Sequence, residues 1–389
     1  MALTDFNWST SILDWILVGV GLIVLTIGAE LLVRGASRLA IACRISPLVV
    51  GLTVVAFGTS APELVVSVQS SLTGQADVAL GNVIGSNILN VLLILGLSAL
   101  IVPLVVSQQL VRIDVPLMVV VSMVAGGMAW HGGAIGRTDG ILLNITLVTY
   151  TIWMIRKSRS EQQDIQDEYA QEFGAAPEAV QGGRHVLINI LLLVAGMVML
   201  VLGARMFVES SVAIATRLGV SQIVIGLTLV AAGTSLPEVA TSVVAALKGE
   251  RDIAVGNVVG SNLFNLLGVL GVAGWISPDG VAVNPTTLQF DIPVMIAVAI
   301  GCLPVFLSGH SIERREGAVF LFFYLAYTTD TVLVATESPF ALQFRYAMLC
   351  VALPIAILIV VLPYFRSSAS SSADPETTSS GGNDDVAND

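Results

Sequence analysis

Charge is scarce in this chain. Only 12% of its 389 residues are Asp, Glu, Lys or Arg, about half the share found in soluble domains. With 55% hydrophobic residues and a mean hydropathy of +0.88, the composition excludes an ordinary soluble domain and indicates a polytopic membrane protein. Cysteine is almost absent. Cys43, Cys302 and Cys350 lie in or near apolar segments with no paired spacing, so they read as small core residues. Histidine is equally rare, and His131, His185 and His310 are scattered near segment ends. No metal triad or nucleophile-His-Asp set can be assembled from them, which argues against a hydrolytic enzyme, and no cofactor is expected. Met1 to Ser11 holds no basic residue, so a cleaved secretory signal is not expected and the first apolar run should remain as an anchor. The net charge of −11 comes largely from a central loop and the C-terminal tail, and suggests neither nucleic acid nor an acidic substrate as a partner.

What the chain does have is apolar segments of spanning length. They fall at about 12–33, 46–72, 78–104, 112–130 and 139–156, and again at about 185–207, 211–247, 253–277, 290–308 and 316–336. A further run, 341–365, makes an eleventh. The stretch 157–184 is polar and acidic, and reads as a linker too short for a folded domain. The tail 366–389 is mostly Ser, Asp and Gly and should be disordered.

An internal repeat organises these segments. Gly28 matches Gly203, Glu63 matches Glu238, Asn90 matches Asn265 and Pro103 matches Pro278, always 175 residues apart. Between 51–103 and 226–278, 28 of 53 positions are identical. Apolar composition alone would not keep Gly, Pro, Asn and Glu in register. The expected domains are a first five-helix repeat at 12–156 and a second at 185–336. Five spans are an odd number, so the two repeats should enter the membrane in opposite directions. The fold class is therefore an all-α membrane protein of two inverted five-helix repeats, ten transmembrane helices, plus the eleventh. With the N-terminus outside, thirteen of the seventeen Lys and Arg residues fall on the cytoplasmic side, which places linker and tail in the cytoplasm.

Two polar elements interrupt each repeat. The first is Gly58-Thr59-Ser60-Ala61-Pro62-Glu63, matched by Gly233-Thr234-Ser235-Leu236-Pro237-Glu238. Proline removes a helix hydrogen bond and frees the carbonyl four residues earlier. An ionised Glu at mid-bilayer costs about 2.5–3.5 kcal/mol on insertion scales, so it needs a polar cavity or a bound cation. The second element is Gly81-Asn82-x-x-Gly85-Ser86-Asn87-x-x-Asn90, matched by Gly256-Asn257-x-x-Gly260-Ser261-Asn262-x-x-Asn265. Asn82, Ser86 and Asn90 recur every four residues, so they share one helix face. An isolated Asn in a bilayer helix usually only bridges helices. Here the amides lie beside a broken carboxylate helix, twice. All candidate ligands are hard oxygens, which suits Ca²⁺ or Na⁺ rather than zinc or copper. Two carboxylates neutralise one Ca²⁺ or two Na⁺, so one site could hold either but not both fully. An oxygen-lined channel could use the same groups, but an inverted duplication with broken helices favours alternating access.

These motifs resemble the α-repeats of the cation/calcium exchanger superfamily, in its prokaryotic sodium/calcium antiporter branch, over nearly all of residues 12 to 336. The resemblance implies exchange of Na⁺ for Ca²⁺ in a bacterial or archaeal plasma (inner) membrane. It makes Glu63 and Glu238 the central ligands, with Asn90 and Asn265 beside them. Thr59 and Thr234 would add carbonyl and hydroxyl oxygens, Ser60 and Ser235 would line sodium positions, and Ser86 and Ser261 would complete the flanking sites. Carbonyls of Ala56 and Ala231 match further sodium ligands. Potassium-dependent relatives carry an acid where this chain has Asn265, and proton-coupled relatives carry a Glu within the element that here reads Gly85-Ser86 and Gly260-Ser261. H⁺-coupled or K⁺-dependent Ca²⁺ antiport is the alternative within transport. The eleventh span exceeds the family's usual ten and suggests packing or a homo-oligomer contact.

Other intramembrane charges have local readings. Glu30 lies one helical turn from Arg34 and should pair with it. Asp77 and Asp252 occupy matched positions near span starts, where acids meet helix N-termini. Asp330 belongs at a helix end or a wet outer vestibule.

Overall fold

The computed structural model describes residues 8–173, 183–307 and 310–359. They form eleven helical spans, nine of them single helices and two of them bent pairs. In chain order these are α1 (Trp8–Cys43), the pair α2a (Pro47–Thr59) and α2b (Ala61–Leu72), α3 (Val78–Ile101), α4 (Leu110–Gly132) and α5 (Arg137–Phe173). The second half has α6 (Gly183–Arg217), the pair α7a (Gln222–Gly233) and α7b (Leu236–Leu247), α8 (Arg251–Ile276), α9 (Thr287–Leu307), α10 (Arg314–Ala335) and α11 (Ala341–Ile359).

Each bend follows from its sequence. A proline stands in the first turn of α2b and of α7b, where a missing N–H costs nothing to the helix that follows but prevents continuation of the one before. The axes turn by 47° at Ser60 and by 51° at Thr234 and Ser235. Ser46 and Ser221, in extended conformation, cap the start of α2a and α7a by accepting from Val49 N and Val224 N.

Widened π-helical turns recur at matched places in the two halves: Gly51–Val55 and Gly226–Val230, Asn90–Leu95 and Phe264–Val269, Leu110–Asp114 and Thr287–Asp291. Such turns displace backbone carbonyls from the regular ladder and are common at functional sites. Two short antiparallel strand pairs tie the halves together: Leu104–Val105 pairs with Ser311–Ile312, and Ala134–Ile135 with Val281–Ala282.

α3 and α8 are the most enclosed spans, while α5 and α10 are mostly surface. α1 and α6 run along each other outside this core. Backbones approach closely at Gly28 and Gly196, where a Cβ on Gly196 would lie 2.7 Å from the carbonyl oxygen of Gly28. At the centre, a Cβ on Gly260 would lie 2.6 Å from the Leu52 carbonyl, so glycine lets α8 seat directly on α2a.

Several expectations need correction. The first span does not stop near residue 33: α1 continues to Cys43, ending where Arg44 takes a positive φ of 55°. The sixth continues through 207–211 to Arg217 and ends at Gly219, φ 80°, so the seventh begins at Gln222 rather than 211. Charged residues such as Arg34, Arg38 and Arg205 end the apolar window without ending the backbone hydrogen bonding, because long basic side chains reach back to the interface. The polar stretch 157–184 is helical as far as Phe173. Of the cysteines only Cys302 is buried; Cys43 is half-buried and Cys350 exposed. Asp330 is neither a helix-end cap nor in a wet vestibule: it is buried and bidentate to Arg345 of α11, at 2.7 and 2.8 Å. Glu30 does pair with Arg34, and Lys248 joins them at 2.8 Å. Asp252 lies in the first turn of α8. The side chain of Asp77, residues 174–182 of the linker and the tail 366–389 lie outside the described residues.

Candidate functional site

Glu63 and Glu238 stand in the first turns of α2b and α7b, where the helix N-terminus favours a carboxylate. Both are fully enclosed, with exposures of 0% and 1%. Their hydroxyl donors come from the opposite half. Ser235 Oγ donates to Glu63 Oε1 at 2.8 Å, and Ser60 Oγ donates to Glu238 Oε1 at 2.9 Å. Ser235 also lies 3.1 Å from Ser86 Oγ. The threonines cross over in the same sense: Thr59 Oγ1 donates to Asn257 Oδ1 at 3.1 Å and Thr234 Oγ1 to Asn82 Oδ1 at 3.4 Å.

The amides are held by a second set of side chains. Asn90 Nδ2 donates to Asn262 Oδ1 at 3.0 Å, and Asn265 Nδ2 donates to Asn87 Oδ1 at 3.2 Å. Each bond fixes the NH₂ end and leaves the Oδ1 of Asn90 or Asn265 pointing elsewhere as a free acceptor. Asn82 and Asn257 bind behind the acids, to Ser67 and Ser242 at 2.9 Å each, and Asn82 also to the Glu63 carbonyl at 3.1 Å. Sulfur atoms of Met118 and Met295 accept from Asn262 and Asn87.

Among the buried side-chain oxygens left without a hydrogen-bond partner are Glu63 Oε2, Glu238 Oε2, Asn90 Oδ1, Asn265 Oδ1 and Ser261 Oγ. A buried acceptor with no donor is costly. Five oxygens in one motif set, four of them unable to donate in their ionised or amide form, suit a positive ion. Among the described residues no three His, Cys, Asp or Glu side chains come together. The set is therefore two acids among neutral oxygens.

Of the residues singled out in the sequence, hydrogen bonds join Glu63, Ser235 and Ser86, and separately Glu238 and Ser60. Thr234 reaches Glu63 through Asn82, which donates to the Glu63 carbonyl, whereas Thr59 bonds Asn257, whose amide turns to Ser242. Ala56 and Ala231 are placed unequally. Ala56 is buried and its carbonyl accepts from Ser60 N at 3.0 Å, whereas Ala231 is exposed. The motif spacing missed Asn87 and Asn262 as orienting groups, although their repetition was a signal. It also missed Asn144 of α5, which donates to the carbonyls of Leu267 and Gly268 at 2.6 and 3.2 Å and accepts from Trp275 Nε1 at 3.0 Å. These carbonyls belong to the π-helical turn that carries Asn265, and a single Asn in α5 gave no pattern by which to find it.

The model of the family described as sodium/calcium exchanger protein matches residues 13–156 and 188–333. The inner membrane protein YrbG of Escherichia coli is 39% identical over 281 residues, 72% of this chain and 85% of that protein. The sodium/calcium exchanger MaX1 of Methanosarcina acetivorans is 33% identical over 344 residues, 81% of this chain and 97% of that protein. Among solved structures, the sodium-calcium exchanger NCX_Mj superposes with a TM-score of 0.69 at 29% identity, covering 84% of this chain and 99% of that one.

Proposed function

This chain belongs to the sodium/calcium exchanger protein family, and we propose that it exchanges Na⁺ for Ca²⁺ through one shared site between inverted repeats. As a member of that family it is an integral membrane transporter of the cation/calcium antiport class, not an enzyme. The observation that carries the finer reading is the group of buried oxygens without partners around Glu63 and Glu238. Ca²⁺ takes six to eight oxygens in flexible geometry, and two carboxylates match its charge. Two Na⁺ would match it equally, so occupancy by one ion species displaces the other. Three positive charges against two fixed negative ones would be costly in a low-dielectric cavity, which disfavours binding K⁺ together with Ca²⁺.

Alternating access is supported by the unequal burial of the two bent helices. The widened turn of α2a contributes buried Gly51, Leu52 and Val55, whereas that of α7a contributes no buried residue. Both acids are enclosed here, and an exchange of these two environments between the bent helices would turn the site from one face of the membrane to the other. The excess of Lys and Arg on one side supports an orientation with the N-terminus outside and the C-terminal end of α5 in the cytoplasm.

Ca²⁺ uptake into proteoliposomes tests this directly. Vesicles preloaded with Na⁺ should take up Ca²⁺, and vesicles with K⁺ or a proton gradient alone should not. Uptake without any counter-ion gradient would indicate a channel, and a strict K⁺ requirement would indicate potassium-coupled exchange.

A further inference from the structure

Away from the ion site, the two halves differ where α4 meets α5 and where α9 meets α10. In each half a tyrosine donates to an acid 36 residues earlier: Tyr150 Oη to Asp114 Oδ1 at 2.7 Å, and Tyr327 Oη to Asp291 Oδ1 at 3.0 Å. These bonds set a common register, with 114 matching 291 and 150 matching 327. In that register Arg112 corresponds to Gln289, Ile113 to Phe290 and Trp153 to Asp330.

Around Tyr327 the surface is covered by α11. Its Arg345 makes the bidentate pair with Asp330, and its guanidinium lies 4.0 Å from the centre of the Phe290 ring. Around Tyr150 nothing within the described residues covers the matching surface. It is an open groove of about 610 Å³, lined by Arg112, Leu117, Ile145, Thr149, Tyr150 and Trp153 among others. The covered surface is acidic and takes a cation. The open one is basic: Arg112 is exposed and forms no ion pair among the described residues. Lys157 lies 5.3 Å from the Trp153 ring at the same end, its ammonium 3.6 Å from Glu161.

We propose that this groove holds one anionic phospholipid, its phosphate on the Arg112 guanidinium and an acyl chain along Leu117 and Ile145. Arg112 is the third residue of α4, at the membrane end of an otherwise apolar cleft, which is the depth of a headgroup. Guanidinium binds phosphate in a bidentate fork, and Trp153 with Lys157 beside it is the side-chain pairing of a membrane interface. A second copy's α11 is a poor occupant. It carries Arg345 and no acid, so it would set a cation against Arg112.

The test is native mass spectrometry of the full chain released from vesicles of equal phosphatidylglycerol and phosphatidylcholine content. One phosphatidylglycerol should be retained in preference to phosphatidylcholine by about fivefold, the worth of one basic side chain near an anionic headgroup. Arg112→Gln, which installs the residue of the second half, should bring that ratio close to one. Ile145→Trp should fill the cleft and reduce retention of both lipids while the chain stays monodisperse. Equal retention by the unaltered protein, or an undiminished preference in Arg112→Gln, would overturn the proposal. So would a protein dimer in place of the lipid adduct.

Discussion

At the residue level the hydroxyl bonds on the acids are unequal in their partners. Ser235 serves Glu63 and also touches Ser86, whereas Ser60 serves Glu238 alone. A hydrogen bond to a charged group is worth about 1.5–3 kcal/mol, or roughly ten- to a hundredfold in affinity. Ser235→Ala should therefore raise the Ca²⁺ concentration for half-maximal exchange more than Ser60→Ala does, measured on vesicles with equal protein. Similar losses in the two variants would mean that the Ser235 to Ser86 contact adds nothing. Glu63→Gln or Glu238→Gln leaves one carboxylate for a divalent ion and should reduce Ca²⁺ flux to background. Membrane insertion should survive, because a neutral amide is cheaper in the bilayer. The acids and the hydroxyls beside them were legible in the sequence because their motif occurs twice. Their crossed pairing was not, since residues 172 and 178 apart meet only once the two bent helices face each other.

Among the elements, the bends were legible and the widened turns were not. Pro62 and Pro237 announce a break by chemistry, but a π-helical turn is a bonding pattern with no residue of its own. Asn144 shows what supports one of these turns. Its counterpart in the register of the tyrosine pairs is Leu321, so Asn144→Leu is a substitution the other half already tolerates. It would leave the carbonyls of Leu267 and Gly268 and the indole of Trp275 without this partner, at a cost of about 1–3 kcal/mol. The expected result is a lower Tm and weaker Ca²⁺ binding, since Asn265 rides on that turn. A lower Tm with unchanged Ca²⁺ dependence would confine Asn144 to stability. The attachment of α11 can be tested in the same way. Asp330→Asn leaves Arg345 without its charge partner, and should destabilise the protein by about 1–3 kcal/mol because the guanidinium is a third exposed. Combining Asp330→Leu with Arg345→Met should restore most of the loss, as apolar replacement of a buried pair commonly does. Additive losses in thermal melts would show that the pair does not hold α11.

For the whole molecule, the exposed positions Glu161 and Asp279 report orientation. In a background with Cys43, Cys302 and Cys350 replaced, Glu161→Cys should react with an impermeant thiol reagent only from the cytoplasmic side, and Asp279→Cys only from outside. The reverse pattern would invert the topology drawn from Lys and Arg. The crossed bonds at the centre also bear on the inheritance of defects. Each half presents its acid to a serine of the other, so a polypeptide holding residues 1–173 alone contains Glu63 without Ser235, and one holding 183–389 contains Glu238 without Ser60. Neither is a slower exchanger; each lacks the donor its acid requires. Expressed together from separate genes, the two fragments should restore Ca²⁺ flux in cells where each alone gives none, and a loss at Ser235 in one fragment should not be rescued by extra copies of the other.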